Sequence, residues 1–418
     1  MSHYQEIGDV STGAYGVTQV GSGNTLILGH DNRLNPEKCL SDLLVANPQD
    51  DLNSIRRMRK RVPGTCEWTT TDPTISSWLS GSGPSLLWLI GGPGMGKTIS
   101  STYLVETLEE RKSTSHAGLA YFFCAGLEKR NTSQAILRGL LWQLLQQDRT
   151  LIKHVLPLYS TTSGRCFESA ESLWDLLIRT ANSSEAANVY LLIDALDGVL
   201  DDSRMHLLRC LEDWTASHDP EGPSELRILL TSRPFKDTSL VGKVLHIESR
   251  AIKDDLLEVI DFKVNTLAQK NRYPPALRQE VKSKLQGGSG GTFLWASLMV
   301  EVLERSSTAV ARKLLNQMPK NLSALYTQIL IRLDSTEKDL ATFVLRTLTV
   351  AQQSMKPIEL AASYAMSDYS GHDWGSEAEC PEVLEKISEY LDIYTVCLPL
   401  VQYDKHTNGV SFLSLIHI

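Results

Sequence analysis

No run of apolar residues in this chain approaches the roughly 20 in succession that a helix needs to cross a bilayer, and no basic-then-apolar leader opens it. Positive charge is not in excess either. Lys and Arg number 41 against 49 Asp and Glu, a formal net charge of −8 at pH 7. The chain as a whole therefore does not invite nucleic acid. Metal-ligand spacing is missing as well. The seven cysteines, Cys39, Cys66, Cys124, Cys166, Cys210, Cys380 and Cys397, are odd in number and scattered. That argues against a zinc ribbon or a disulfide framework and for reduced thiols in a cytoplasmic protein. Without a secretory leader, Asn131-Thr132-Ser133 carries no meaning as a glycosylation acceptor. No internal repeat of solenoid or propeller type is visible.

What the chain does have is Gly91-Gly92-Pro93-Gly94-Met95-Gly96-Lys97-Thr98, a G-x-x-x-x-G-K-T run. It follows the apolar stretch Leu86–Ile90 and precedes a helical pattern from Ile99 to Glu110. Strand, glycine loop and helix in that order are the context a phosphate-binding loop requires. Glycines let the backbone turn tightly and aim N–H groups at phosphate oxygens, and the helix N-terminus adds partial positive charge. The expected binding set is Gly91 to Thr98 with Ile99. Within it Lys97 reaches the β- and γ-phosphates, and the Thr98 hydroxyl binds Mg²⁺.

Such a loop needs a carboxylate on a neighbouring strand to hold Mg²⁺ through water. Asn188–Asp194 supplies one at the end of an apolar run, making Asp194 the expected metal-shell residue. Asp197, three residues on, is the candidate to orient or deprotonate an attacking water. A next strand ends Leu229-Leu230-Thr231-Ser232-Arg233-Pro234, placing Arg233 where it can sense a γ-phosphate. The Asn-Lys-x-Asp tetrad that reads guanine is absent, which favours ATP/ADP or a site without strict base reading.

Four strand-like runs, Leu86–Ile90, Leu119–Cys124, Val189–Ile193 and Leu226–Leu230, alternate with helical patterns such as Ser133–Gln147 and Glu171–Thr180. This predicts an α/β domain, a P-loop NTPase parallel sheet flanked by helices, with ligands at the carboxyl ends of its strands. From about 250 the pattern turns helical: Leu256–Leu267, Ala276–Leu285, Phe293–Glu304, Ala309–Gln317 and Leu322–Leu333. Gly287–Gly291, with no following Lys-Thr, reads as a turn between helices. Ahead of the sheet, residues 36–85 form a helical connector with Leu40, Leu43 and Leu44 at helical spacing and Trp68 and Trp78 packed on the next domain. The connector's basic run, Arg56-Arg57-Met58-Arg59-Lys60-Arg61, reads as a solvated linker or helix face rather than a nuclear signal. Residues 1–35, punctuated by glycines, read as a flexible tail or as a β-prone segment able to stack in a cross-β arrangement.

Together these pieces resemble a NACHT-type STAND nucleotide-binding module, of the kind found in fungal NOD-like receptors and heterokaryon-incompatibility proteins. They are also similar to the nephrocystin-type N-terminal NTPase domain. The resemblance rests on Gly91–Thr98, Leu119–Cys124, Ile136–Leu145, Leu191–Asp197 and Thr231–Pro234. Further on it rests on Gly291–Ala296, Met318–Tyr326 and Lys356–Leu360. It implies an NTPase domain over 86–248, a helical domain over 249–320 and a winged-helix-like domain over 321–412. It further implies a place for Pro319 near the adenine. The family carries Glu immediately after the second acid of its Leu-Ile-Asp-Ala-Leu-Asp signature. Here Gly198 stands instead, which weakens rapid hydrolysis.

The resemblance implies a switch in which ADP holds the three parts closed and ATP opens them for self-association. The output would be incompatibility or defence-type cell death. The expected trigger-binding C-terminal repeats are missing. Leu413–Ile418 reads as the translation of a transposase mosaic-end sequencing adapter, so His417 is given no role. The other readings are a turnover ATPase that remodels a partner, and a nucleotide-binding fragment without a sensor.

Overall fold

A computed structural model gives the architecture. It describes residues 17–19 and 25–27 and, between 35 and 412, all except 46, 59, 82–84, 116, 125–130, 187, 218–224, 236–241, 248–251, 289–291, 332, 352–353, 369–386, 398–399 and 405–407. In the tail, β1 (Val17–Gln19) pairs antiparallel with β2 (Thr25–Ile27). The rest of the tail, Leu413–Ile418, Arg59 and Cys380 fall outside the described residues.

The connector folds into α1 (Pro36–Leu43), α2 (Pro48–Met58), α3 (Trp68–Thr71) and α4 (Pro73–Ser80). Asn35 caps α1 and Asp72 caps α4, each side chain accepting from two backbone N–H groups, with a proline opening the helix behind each. Leu40, Leu43 and Trp78 are buried, while Trp68 is half-buried and Leu44, just past α1, is exposed. The basic run is not simply solvated. Arg56 pairs with Glu106 and Glu109, and the Arg61 guanidinium sits 4.6 Å over the Tyr103 ring.

Five parallel strands make the central sheet: β3 (Leu86–Ile90), β4 (Gly118–Phe123), β5 (Val189–Asp194), β6 (Leu226–Ser232) and β7 (Lys243–His246), in the order β4-β5-β6-β3-β7. Between β3 and β4 runs α5 (Lys97–Ser115). Then come α6 (Ser133–Gln147), α7 (Leu156–Thr162) and α8 (Ala170–Asn182) before β5, and α9 (Asp201–Ser217) before β6. The strands β3, β5 and β6 are buried at every position, as expected of parallel strands covered on both faces. One apolar core, including Trp88, Phe122, Leu140 and Leu177, fills one side. A second, including Trp78, Leu87, Leu104 and Leu192, fills the other.

The edge strand β7 was not legible as a strand. Lys-Val-Leu-His is short, and none of its residues is fully buried. It nevertheless leads directly into Ile247, whose N–H donates to Ile90 O at 2.7 Å and whose side chain lies against Gly91.

Beyond the sheet lie α10 (Lys253–Lys270), α11 (Pro275–Gly288), α12 (Phe293–Glu304), α13 (Thr308–Asn316) and α14 (Leu322–Ile331). The first three and α13 enclose a separate core around Ile260, Leu277, Trp295 and Leu314. The glycine run expected to be a turn begins inside a helix, since α11 continues through Gly288, and Gly288 has the Trp295 ring where a Cβ would stand. A last unit comprises α15 (Ser335–Val350), α16 (Pro357–Asp368) and an antiparallel hairpin of β8 (Val401–Asp404) and β9 (Gly409–Phe412). Met355 bridges to Val410 ahead of α16. Helices followed by a hairpin form a winged-helix-like arrangement, and its core is built from its own elements alone.

Candidate nucleotide site

Sheet order decides what meets at the loop. Although β3 and β4 are neighbours in sequence, β6 and β5 lie between them. The carboxyl ends of β3, β6 and β5 therefore sit side by side, carrying the glycine loop, Thr231 to Arg233, and Asp194. Gly91 N donates to Ser232 O at 3.1 Å, tying the loop to the end of β6.

Gly94 and Gly96 have φ of +73° and +82°, a left-handed backbone that favours glycine. Pro93 is exposed, Gly92 and Ile99 are half-buried, and Met95 is buried. The Lys97 ammonium lies within the curl of the loop, donating to Gly91 O at 2.6 Å and to Gly92 O at 3.0 Å. Only 8% of Lys97 is exposed. Burial pulls its pKa below the usual lysine value, while Asp197 and Asp194 work in the opposite direction.

Asp194 is fully buried. Its Oδ2 accepts from Thr98 Oγ1 at 2.8 Å, and its Oδ1 accepts from Ser101 Oγ and Thr231 Oγ1, each at 2.7 Å. A buried carboxylate of this kind is stable only when so bonded. It is thereby aimed at the first turn of α5 instead of capping a following helix. Next to it Ala195 has φ of +58°, which breaks the strand sharply, and its N–H donates to Thr231 Oγ1 at 3.0 Å. The sharp turn brings Asp197 back toward β6. Asp197 Oδ1 accepts from Arg233 N at 3.1 Å, and Oδ2 lies 3.2 Å from Arg233 Nε. That pair is close but not aligned as a hydrogen bond, and Arg233 Nη2 is buried with no hydrogen-bond partner among the described residues. Burial holds the Arg233 pKa below its ordinary value, with Asp197 opposing. Tyr326 of α14 is near enough to act on the same guanidinium, whose charge lowers the Tyr326 phenol pKa against the larger upward push of burial.

Pro319 is buried between α13 and α14, and no described contact joins it to the loop. Sequence reasoning missed Ser101 and Thr231 as partners of Asp194. Both hydroxyls sit inside otherwise apolar or helical patterns, where they read as filler. It also missed Phe293, whose N–H donates to Gly94 O at 2.9 Å. The Asp194 carboxylate and the Thr98 hydroxyl are the hard oxygen donors Mg²⁺ takes, and a nucleotide-bound Mg²⁺ needs few protein ligands because phosphates and waters supply the rest. Among the described residues no group of three His, Cys, Asp or Glu could hold a metal ion unaided.

Strand, glycine loop with buried lysine, helix-borne threonine and facing strand-end aspartate define a P-loop nucleotide-binding protein. Residues 64–233 match the family described as Nephrocystin 3, N-terminal. The vegetative incompatibility protein HET-E-1 of Podospora anserina is 27% identical over 395 residues, an alignment covering 90% of this chain. The chain spans only 28% of that relative's length. The Aeropyrum pernix ORC2 protein, solved as ADPNP–ADP complexes, is 15% identical, with a TM-score of 0.36 over 86% of this chain and 93% of that one. The Thermotoga maritima RuvB Holliday junction branch migration motor is 13% identical, with a TM-score of 0.31 over 84% and 92%. The family match over residues 64–233 and the similarity to the incompatibility relative support a nucleotide-binding, NACHT-like domain in this chain.

Proposed function

We propose that this chain is an ATP/ADP-operated signalling switch that acts in the cytoplasm, in an incompatibility or defence response of the kind its relative's name denotes. The observation that carries the reading is the state of Arg233. It is a mostly buried cation at the strand end beside the loop, with an acid on one side and a buried nitrogen that has no hydrogen-bond partner among the described residues. A third phosphate supplies the anion this nitrogen lacks, and a diphosphate does not. Differential contact of that sort is what a nucleotide needs in order to shift a conformational equilibrium.

In this reading the loop amides and Lys97 bind the phosphates, Thr98 ligates Mg²⁺, and Asp194 orients its waters. Bound Mg²⁺ supplies charge neutralisation between the phosphates. Asp197 restrains Arg233 and would orient an attacking water. With Gly198 in place of an acid, turnover is slow. Arg233 communicates with Tyr326 and so with the units that follow the sheet, whose rearrangement exposes surface for self-association. Pro319 borders the base.

The test is to purify the protein and identify co-purifying nucleotide by ion-pair chromatography. ADP at near one per chain is expected in the wild type and none in Lys97→Ala. A Lys97→Ala protein that retains its nucleotide removes the reading. Arg233→Ala is expected to keep ADP affinity within about twofold while losing several-fold in ATP affinity, the scale of one charge-assisted hydrogen bond.

A further inference from the structure

The loop is held from outside the sheet as well as within it. At the N-terminus of α12, Phe293 N–H donates to Gly94 O at 2.9 Å. The Phe293 ring lies 3.1 Å from where a Cβ on Gly96 would stand, and Leu294 Cβ lies 2.6 Å from the equivalent point on Gly94. Two of the loop's left-handed glycines are therefore in contact with one turn of α12. Phe293 also packs against both the helical core and the core beneath the sheet.

A trans peptide is planar, so its C=O and the following N–H point in opposite directions. Fixing the Gly94 carbonyl on α12 consequently turns the Met95 N–H away from α12. We propose that Phe293 is a positioning residue that aims the Met95 amide into the phosphate cradle, so that phosphate affinity depends on where α12 sits. The inference rests on the loop binding nucleotide. The dependence is reciprocal: phosphate on the Met95 amide favours the peptide orientation that accepts from Phe293, and so holds α12 in place.

Phe293→Pro tests this directly. Phe293 is the first residue of α12, where proline is tolerated because that N–H has no partner inside the helix. The preceding Thr292 has φ −125° and ψ 133°, the extended backbone a following proline requires. Phe293→Ala is the control, losing the ring and keeping the donor. In the full chain, release of a fluorescent ADP chased with unlabelled ADP is expected about threefold to tenfold faster from Phe293→Pro than from Phe293→Ala, the span of one net hydrogen bond. Equal release rates overturn the proposal.

A second measurement needs no variant. Amide hydrogen exchange at Phe293 in wild type stripped of its nucleotide is expected to slow when ADP is restored, and exchange indifferent to ADP overturns the proposal. Lys97→Ala separates the two readings. If it loses ADP while Phe293→Pro matches Phe293→Ala, only the positioning role fails. If it binds ADP like the wild type, the nucleotide site itself fails.

Discussion

Thr231 shows how much of the site rests on single hydroxyls. It is fully buried, donates to Asp194 Oδ1 at 2.7 Å and accepts from Ala195 N at 3.0 Å. Thr231→Val keeps the shape, strands the Ala195 N–H and removes one of three hydroxyls from a buried carboxylate. The expected cost is about 1–3 kcal/mol, read as a lower urea midpoint with an unchanged m-value. A variant within 0.5 kcal/mol of wild type, on the order of a typical surface substitution, would show that Asp194 is held without it. At this scale the sequence was partly readable. Gly91 to Thr98, Asp194 and Arg233 stand out because motif chemistry ties residue types to a spacing. Ser101 and Thr231 do not, since a hydroxyl among apolar neighbours has no period. Asp197 was visible as an acid, but its hold on Arg233 depends on the left-handed turn at Ala195, and an alanine in that conformation leaves no trace in the sequence.

Among the elements, α6 does more than cover β4. As the first strand in the sheet order, β4 has no strand partner on one edge among the described residues, and such an edge invites pairing with another chain. Gln143 accepts from Tyr121 N at 3.2 Å and donates to Tyr121 O at 2.8 Å. One turn on, Gln147 accepts from Leu119 N at 3.0 Å and donates to Leu119 O at 2.6 Å. Two side-chain amides thus take the place of a neighbouring strand. Gly139 on the same helix lets it approach closely, since a Cβ there would meet the Phe122 ring at 2.8 Å. Gln143→Leu is expected to destabilise the chain by about 1–3 kcal/mol, because a buried peptide loses both partners. It should also promote association on light scattering. Unchanged stability in urea would mean that water satisfies Tyr121 equally well. The span of α6 was legible from its apolar pattern, and the structure adds Thr132 as its cap. Its edge-covering role was not, because i, i+4 glutamines look like a solvated stripe until the strand they face is known. The edge strand β7 was lost for the opposite reason, its four residues being too few and too polar to show a period.

The whole molecule divides by its cores. The sheet and the helical unit are linked through Phe293, which packs against the helical core and one of the sheet's two cores, and through Asp255 of α10, whose Oδ2 accepts from Cys66 N at 2.6 Å. The core of the winged-helix-like unit draws on none of them. Without ligand, scanning calorimetry is therefore expected to show two transitions, one for the sheet with its helical unit and one for residues beyond about 333. Saturating ADP stabilises whatever it is coupled to: at a hundred times Kd by about 2.7 kcal/mol, roughly 4 °C for a body of this size. A switch that ADP holds closed across all three units makes a further demand. The second transition must rise with the first, because the closed arrangement ties the last unit to the nucleotide through the helical one. Lys97→Ala must abolish both shifts. If ADP lifts the first transition and leaves the second where it was, nucleotide binding stands and the winged-helix-like unit is no part of the switch. The signal would then have to leave through the helical unit, by way of α12 against the loop and Tyr326 beside Arg233.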